Sequence, residues 1–147
     1  MNASRFVVVV GCGRLGAHLA EQLSQEGNSV VVVDVDTRAF EALSAGYGGF
    51  RVEGDGTELA VLERSKVGRA DLVMAVTSDD NANLMVAQVA VRHFGVARAV
   101  ARVLDPSREE VFGALGFQGL TTVCPVAVTA DLFLRATHPA VTAGDGP

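Results

Sequence analysis

The sequence predicts a doubly wound α/β fold, a parallel sheet of about six strands with helices on both faces. Three observations predict it. Apolar runs of strand length alternate with helical patterns along the chain. The first run, Arg5 to Val10, passes straight into Gly11-x-Gly13-x-x-Gly16 and then into a helical pattern. The second, Ser29 to Val33, ends in Asp34, about twenty residues beyond the glycines, at the place where such folds carry a carboxylate.

The elements follow in order. Strands are expected near 5–10, 29–34, 50–53, 71–76, 97–103 and 120–123, each rich in Val, Ala or Thr, with helices between them. Helix starts are marked by Asp36-Thr37, by Thr57 ahead of Glu58, by Asp79 or Asp80, and by Asp105-Pro106, where proline takes a first helical position. Gly27, Gly95 and Gly116 stop the preceding helices. No internal repeat interrupts this pattern, which predicts one domain over 1–137 and a disordered tail over 138–147. Two helices carry more apolar surface than one stripe: Asn83 to Phe94, and Val126 to Ala136 with Val128, Leu132, Phe133 and Leu134. A helix apolar beyond one face is buried on more than one side, so both segments point to a homodimer interface or to a second neighbour within the chain.

In this Rossmann-like arrangement each glycine has a physical task. Gly11 permits the tight strand-to-helix turn, Gly13 lets the backbone approach a pyrophosphate, and Gly16 lets the helix pack against the sheet. The first-turn amides, over Arg14 and Leu15, then meet phosphate, and Arg14 stands where the helix dipole disfavours a cation unless an anion is present. A solvated, outward Arg14 accounts for the same letter. Asp34 accepts from ribose hydroxyls and so favours NAD(H) or a free-ribose adenine nucleotide over NADP. Glu53-Gly54-Asp55-Gly56-Thr57 forms a loop at the ligand edge, where Asp55 can accept from an adenine amino group, although a turn with a helix cap explains the same residues. Thr77 and Ser78, after the fourth strand, can reach the second half of a dinucleotide, and Ser-Asp-Asp is equally an ordinary helix cap.

Composition excludes other classes. A net charge of −5 with no Lys/Arg cluster removes the electrostatic drive toward nucleic acid. The apolar runs are far shorter than the roughly twenty residues a membrane-crossing helix needs, so no direct membrane insertion is expected. Met1 to Ser4 carries no signal pattern ahead of the first strand, which predicts a cytoplasmic location. Cys12 and Cys124 would follow the first and sixth strands, with two strands between them at about 4.8 Å spacing, too far apart for a disulfide. Cys12 stands at a helix start, where a thiol pKa can fall and the group become reactive, or it is a small filler. His18, His93 and His138 sit on helices or beside the tail rather than in a catalytic spacing, and no metal-ligand pattern occurs. No catalytic residue is expected.

The order GCGRLG, VVVDVD, EGDGTE, AVTSDDNANLMVAQVA and ARVLDP resembles the N-terminal domain of the regulators of potassium conductance, the TrkA-N unit of Trk- and Ktr-type systems, from about Phe6 to Ala136. The resemblance implies a non-enzymatic cytosolic subunit or domain, peripheral to the inner face of the membrane. It would bind NAD(H) or ATP/ADP and gate a membrane potassium transporter or channel subunit, through dimers assembled into a ring. By position it implies phosphate contacts from Gly11, Gly13, Arg14 and Gly16, ribose contacts from Asp34 and Asp36, and adenine-side contacts from Asp55 and Thr57, beside Gly56. Two departures stand out. The family adds a second, C-terminal ligand domain that this sequence does not contain, and Val126 follows Pro125 where some members carry an acidic residue for a shared cation. The alternative reading is the cofactor module of an NAD-dependent oxidoreductase whose substrate domain lies on another chain.

Overall fold

The computed structural model describes residues 3–138, so the expected tail lies, apart from His138, outside the described residues, as does the start at Met1. The elements run β1 (Phe6–Val10), α1 (Arg14–Gln25), β2 (Ser29–Asp34), β3 (Phe50–Glu53), α2 (Leu59–Arg64), β4 (Leu72–Ala75), α3 (Asp80–Arg92), β5 (Arg98–Arg102), α4 (Pro106–Leu115), β6 (Leu120–Val123) and α5 (Pro125–Ala136). All six strands pair in parallel in the order β3-β2-β1-β4-β5-β6. The expected fold class is therefore observed, and the chain direction across the sheet reverses between β1 and β4, where such folds bind ligands.

The central strand explains the valine runs. Val7–Val10 of β1 register with Val30–Val33 of β2 on one side and Leu72–Ala75 of β4 on the other. Alternate residues enter opposite cores, because successive side chains of a strand point to opposite faces. Val7, Val9, Val30 and Val32 pack with Ala17, Ala20 and Leu23 of α1. Val8, Val10, Val31, Val33 and Val73 pack with Val61 and Leu62 of α2 and with Leu84, Val86, Ala87 and Ala90 of α3. Burying each such valine contributes roughly 1.5–3 kcal/mol relative to exposure.

Two local expectations change. The segment after Asp36 is a six-residue 3₁₀ turn, Thr37–Ala42, rather than an α-helix. Tyr47 then turns inward and its hydroxyl donates to the carbonyls of Val30 and Phe50, which ties the crossover to the β2–β3 edge. At α2 the cap position is Glu58, without a side-chain cap bond; Thr57 instead belongs to the preceding turn. The apolar helix starts where expected, at Asp80, with Asp79 as its N-cap accepting from the amide of Ala82.

The two helices with surplus apolar surface part company. In α3, Leu84, Val86, Ala87 and Ala90 are buried by the chain's own sheet, and Met85 is left exposed. On α5 no residue is buried, and Val126, Val128, Leu132, Phe133 and Leu134 are each more than half exposed, Phe133 at 72%. The helix after β6 thus carries the large uncovered apolar face.

Candidate functional site

The glycine turn sets the floor of the site. Gly11 has φ +108°, a region side chains avoid, and its amide donates to the carbonyl of Val33 at 2.7 Å. A Cβ there would also lie 2.9 Å from the backbone of Thr77, so this residue is where β1 touches the end of β4. A Cβ on Gly16 would collide with the carbonyl oxygen of Gly11, which is why the helix can approach only with glycine there. Gly13 differs: a Cβ would meet nothing within 4 Å. Its side faces open space, as a position reserved for the close approach of a ligand would. Gly13 is also the N-cap of α1, without a side-chain cap, and the first helical bond of that turn runs from Ala17 N to Gly13 O. The amides of Arg14, Leu15 and Gly16 therefore stay unbonded within the helix, the arrangement that attracts anions.

Asp34 ends β2 and is only partly exposed. Its Oδ2 accepts from the amide of Cys12 at 2.8 Å and its Oδ1 from the amide of Asp36 at 2.9 Å. The carboxylate therefore pins the glycine turn to the neighbouring strand, and its remaining lone pairs can accept from further donors. Asp36 does something else. Its carboxylate accepts from the amide and side chain of Arg38 and pairs with that guanidinium at 3.0 Å, which holds its pKa below the usual carboxylate range. It caps the 3₁₀ turn and lies outside the cleft lining.

The cleft itself is about 560 Å³ and opens at the carboxyl ends of the strands. It brings together eight of the residues expected from sequence: Gly11, Gly13, Asp34, Asp55, Gly56, Thr57, Thr77 and Ser78. Arg14 and Leu15 are exposed beside it and Gly16 is buried beneath it; none of the three lines it. Asp55 Oδ1 accepts from both the amide and the hydroxyl of Thr57, at 2.8 and 2.7 Å, and these bonds lower its pKa. Gly56 is buried because the loop crosses β1 so closely that a Cβ would strike Val10.

The opposite wall was missed by sequence reasoning. Asn83 is fully buried and all four of its side-chain bonds are made: Oδ1 accepts from the amide and hydroxyl of Thr77 at 2.8 and 2.6 Å, and Nδ2 donates to the carbonyls of Thr77 and Arg102, both at 2.9 Å. One amide side chain thereby fixes the ends of β4 and β5 against α3. Arg102, at the end of β5, donates from Nη2 to the carbonyls of Val76 and Thr77 and lines the cleft. Asp79 also lines it. The signal available in the sequence was an arginine at the carboxyl end of a strand, where ligands sit.

Reactivity is absent where the sequence allowed it. Cys12 is 1% exposed, and its thiol donates toward the carbonyl of Ala39; burial, with Asp34 nearby, pushes its pKa up to about 11. Of the two readings of Cys12, the small buried filler holds and the reactive thiol does not, because desolvation outweighs the helix-start field. Both cysteines are free. The cleft lining contains no histidine, and among the described residues no group of His, Cys, Asp and Glu is arranged to hold a metal ion. What remains is a site able to bind and orient a phosphate-bearing ligand, with amides for phosphate and carboxylates for hydroxyl or amino donors.

The model of the TrkA-N domain matches residues 7–123. The chain is 41% identical over 133 residues to the Trk system potassium uptake protein TrkA of Streptomyces coelicolor, covering 90% of this chain and 58% of that one. It is 32% identical over 141 residues to the protein of the same name from Mycobacterium tuberculosis, covering 95% and 60%. The chain thus spans about three fifths of the length of these relatives. Among solved structures, the TrkA-N domain of the inner membrane protein ybaL from Escherichia coli superposes with a TM-score of 0.76 at 16% identity, over 92% of this chain and 98% of that one. The Shewanella denitrificans Kef C-terminal domain in its AMP-bound form gives 0.71 at 18%, over 92% and 83%. GsuK bound to ADP gives 0.73 at 20%, over 91% and 34%, and the GsuK channel bound to NAD gives 0.69 at 20%, over 90% and 23%.

Proposed function

Because the chain belongs to the TrkA-N domain family, we propose that it is a nucleotide-sensing regulatory domain of a potassium uptake system. It binds NAD(H) or ATP/ADP at the strand ends and, at the cytoplasmic side, biases the opening of a membrane potassium transporter or channel subunit. The observation that carries this reading is the cleft: an open glycine position, unbonded helix-start amides and the Asp34 carboxylate converge at the β1–β4 switch point. The adenosine half lies over Asp34 and Asp55, the first phosphate over the turn from Gly11 to Gly16, and the remainder extends toward Thr77 and Ser78. The relatives named as potassium uptake proteins and the nucleotide-bound structures support the assignment. No helix among the described residues is long and apolar enough to cross a membrane.

The exposed face of α5 gives the route. A homodimer that covers Val126, Val128, Leu132, Phe133 and Leu134 removes a large apolar surface from water, and a nucleotide that shifts the strand ends changes how paired domains sit. In this reading the ligand is sensed rather than consumed. The test is calorimetry of the purified chain with ADP, ATP, NADH and NADPH, alongside mass spectrometry of whatever nucleotide copurifies. Micromolar binding of a free-ribose nucleotide with weak NADPH binding supports the reading. Absence of binding to all four overturns it.

A further inference from the structure

The cations of this chain are scattered in sequence, and the fold gathers five of them at one edge. Arg5 precedes β1, Lys66 and Arg69 bracket the 3₁₀ turn ahead of β4, Arg92 closes α3 and Arg98 opens β5. Because β1, β4 and β5 are neighbours in the sheet, these positions share its amino-terminal edge. A Cβ on Gly68 would lie 3.7 Å from the ring of Phe94, which joins the turn to the end of α3. All five cations are exposed, and none forms an ion pair among the described residues. The acids nearest them are Glu26, Glu63 and Asp71, and the Asp71 carboxylate accepts from the amide of Phe6.

The opposite edge is acidic. Asp34, Asp36, Asp55, Asp79, Asp80 and Asp105 stand at the carboxyl ends of strands or at the turns that follow them. A strand of five residues separates the two edges by about 16 Å, roughly twice the Debye length of about 8 Å at physiological salt. A partner at the basic edge therefore meets local positive charge, although the chain as a whole carries −5. Arg69 and Arg92 have an internal reason for their place, since both lie in the last turn of a helical segment, where a cation suits the dipole. Lys66 does not. With φ 63° and ψ 34° it is the sole non-glycine residue of positive φ among the described residues, in a conformation that glycine adopts freely. A lysine there places an ammonium on the edge and strains the turn that holds it. None of the four cavities described is lined by any of the five cations. A pocketless spread of positive charge suits an extended anionic plane better than a single small anion.

We propose that this edge adsorbs to an anionic phospholipid surface through Arg5, Lys66, Arg69, Arg92 and Arg98, and that the opposed acidic edge turns the cleft away from the bilayer. The contact is electrostatic and leaves the chain outside the hydrocarbon. A ligand then reaches the strand ends from the solvent side while the domain lies against the membrane.

The test is sedimentation of the chain with vesicles of phosphatidylcholine alone and of equal parts phosphatidylcholine and phosphatidylglycerol, at low and high salt, beside calorimetry with soluble polyglutamate. Wild type is expected to pellet with the phosphatidylglycerol vesicles, to be released as salt rises, and to ignore phosphatidylcholine. Each cation removed should weaken binding about fivefold. Lys66→Gly reads this without a folding penalty, because glycine suits the turn, so its melting temperature should hold or rise. Arg69→Glu combined with Arg98→Glu should abolish binding. Glu58→Gln, at an exposed position of the acidic edge without a side-chain cap bond, should leave binding unchanged. If Glu58→Gln strengthens binding as much as Lys66→Gly weakens it, net charge and not this edge is at work, and the proposal falls. It falls equally if wild type pellets with neither vesicle. Binding to polyglutamate without binding to phosphatidylglycerol would make the partner an acidic protein segment instead. ADP affinity should be the same with and without vesicles, and a fall would place the cleft against the bilayer. That last arm rests on the nucleotide reading above; the vesicle arms stand without it.

Discussion

Gly13→Ala separates the ligand's space from the protein's own packing. The added methyl meets no atom within 4 Å, and the backbone at Gly13, φ −77° and ψ −163°, is extended and open to any residue. Two opposed effects act on stability. Removing a glycine restricts the unfolded chain by about 0.4–1 kcal/mol, and alanine is a poorer N-cap than glycine by a comparable amount. The net change is within about 1 kcal/mol, so for a chain of 147 residues the melting temperature moves by no more than about 2–4 °C. Binding is a different matter. A methyl at the mouth of the turn holds phosphate away from the amides of Arg14, Leu15 and Gly16, and each charge-assisted bond lost costs about 1.5–3 kcal/mol, or roughly 10- to 150-fold in affinity. Calorimetry with ADP, paired with a thermal melt, reads both quantities, and Gly13→Val should deepen the binding loss. Gly16→Ala is the contrasting control: its Cβ would collide with the carbonyl of Gly11, so that variant should fail in folding. A Gly13→Ala protein with native stability and native ADP affinity would refute the placement of phosphate on this turn.

Asp34→Ala should weaken ADP or NADH by about 1.5–3 kcal/mol and also lower the melting temperature, because its carboxylate holds the amides of Cys12 and Asp36 and lines the cleft; unchanged affinity by calorimetry removes it from the site. Leu134→Glu should convert a dimer to a monomer in light scattering while leaving nucleotide affinity intact, since Leu134 lies on the uncovered face of α5; wild type that is monomeric throughout the micromolar range defeats the dimer. For Cys12 the folded pKa of about 11 lies above the ordinary 9.0, so the folded state binds the proton more tightly, and stability falls as pH rises from about 9 to 11. Melting curves across that window should flatten in Cys12→Ala. The thiol should also resist alkylation at pH 8 until the protein is denatured, and rapid labelling of folded protein would contradict its burial.

Much of the fold was legible because it is written in short-range patterns. Val7 to Val10 and Val30 to Val33 are continuous apolar runs, as strands covered on both faces must be, and Gly11 and Gly16 mark contacts so close that any side chain fails. The spacing from glycines to Asp34 carried the cleft as far as its first half. The rest depended on residues brought together across strands. Asp36 looked like a second ribose ligand until Arg38 was seen to occupy it, and Thr57 looked like a helix cap until its hydroxyl was found on Asp55. Asn83 reads as one more letter on an apolar helix, yet its amide joins residues 77 and 102. The sequence by itself determined the sheet, the turn and the carboxylate, because each follows from periodicity or from a local steric demand. Only the tertiary structure decided that Arg102 faces the cleft, that Cys12 is sealed from solvent, and that α5 rather than α3 is left uncovered, because burial and hydrogen-bond partnership are properties of neighbours distant in sequence.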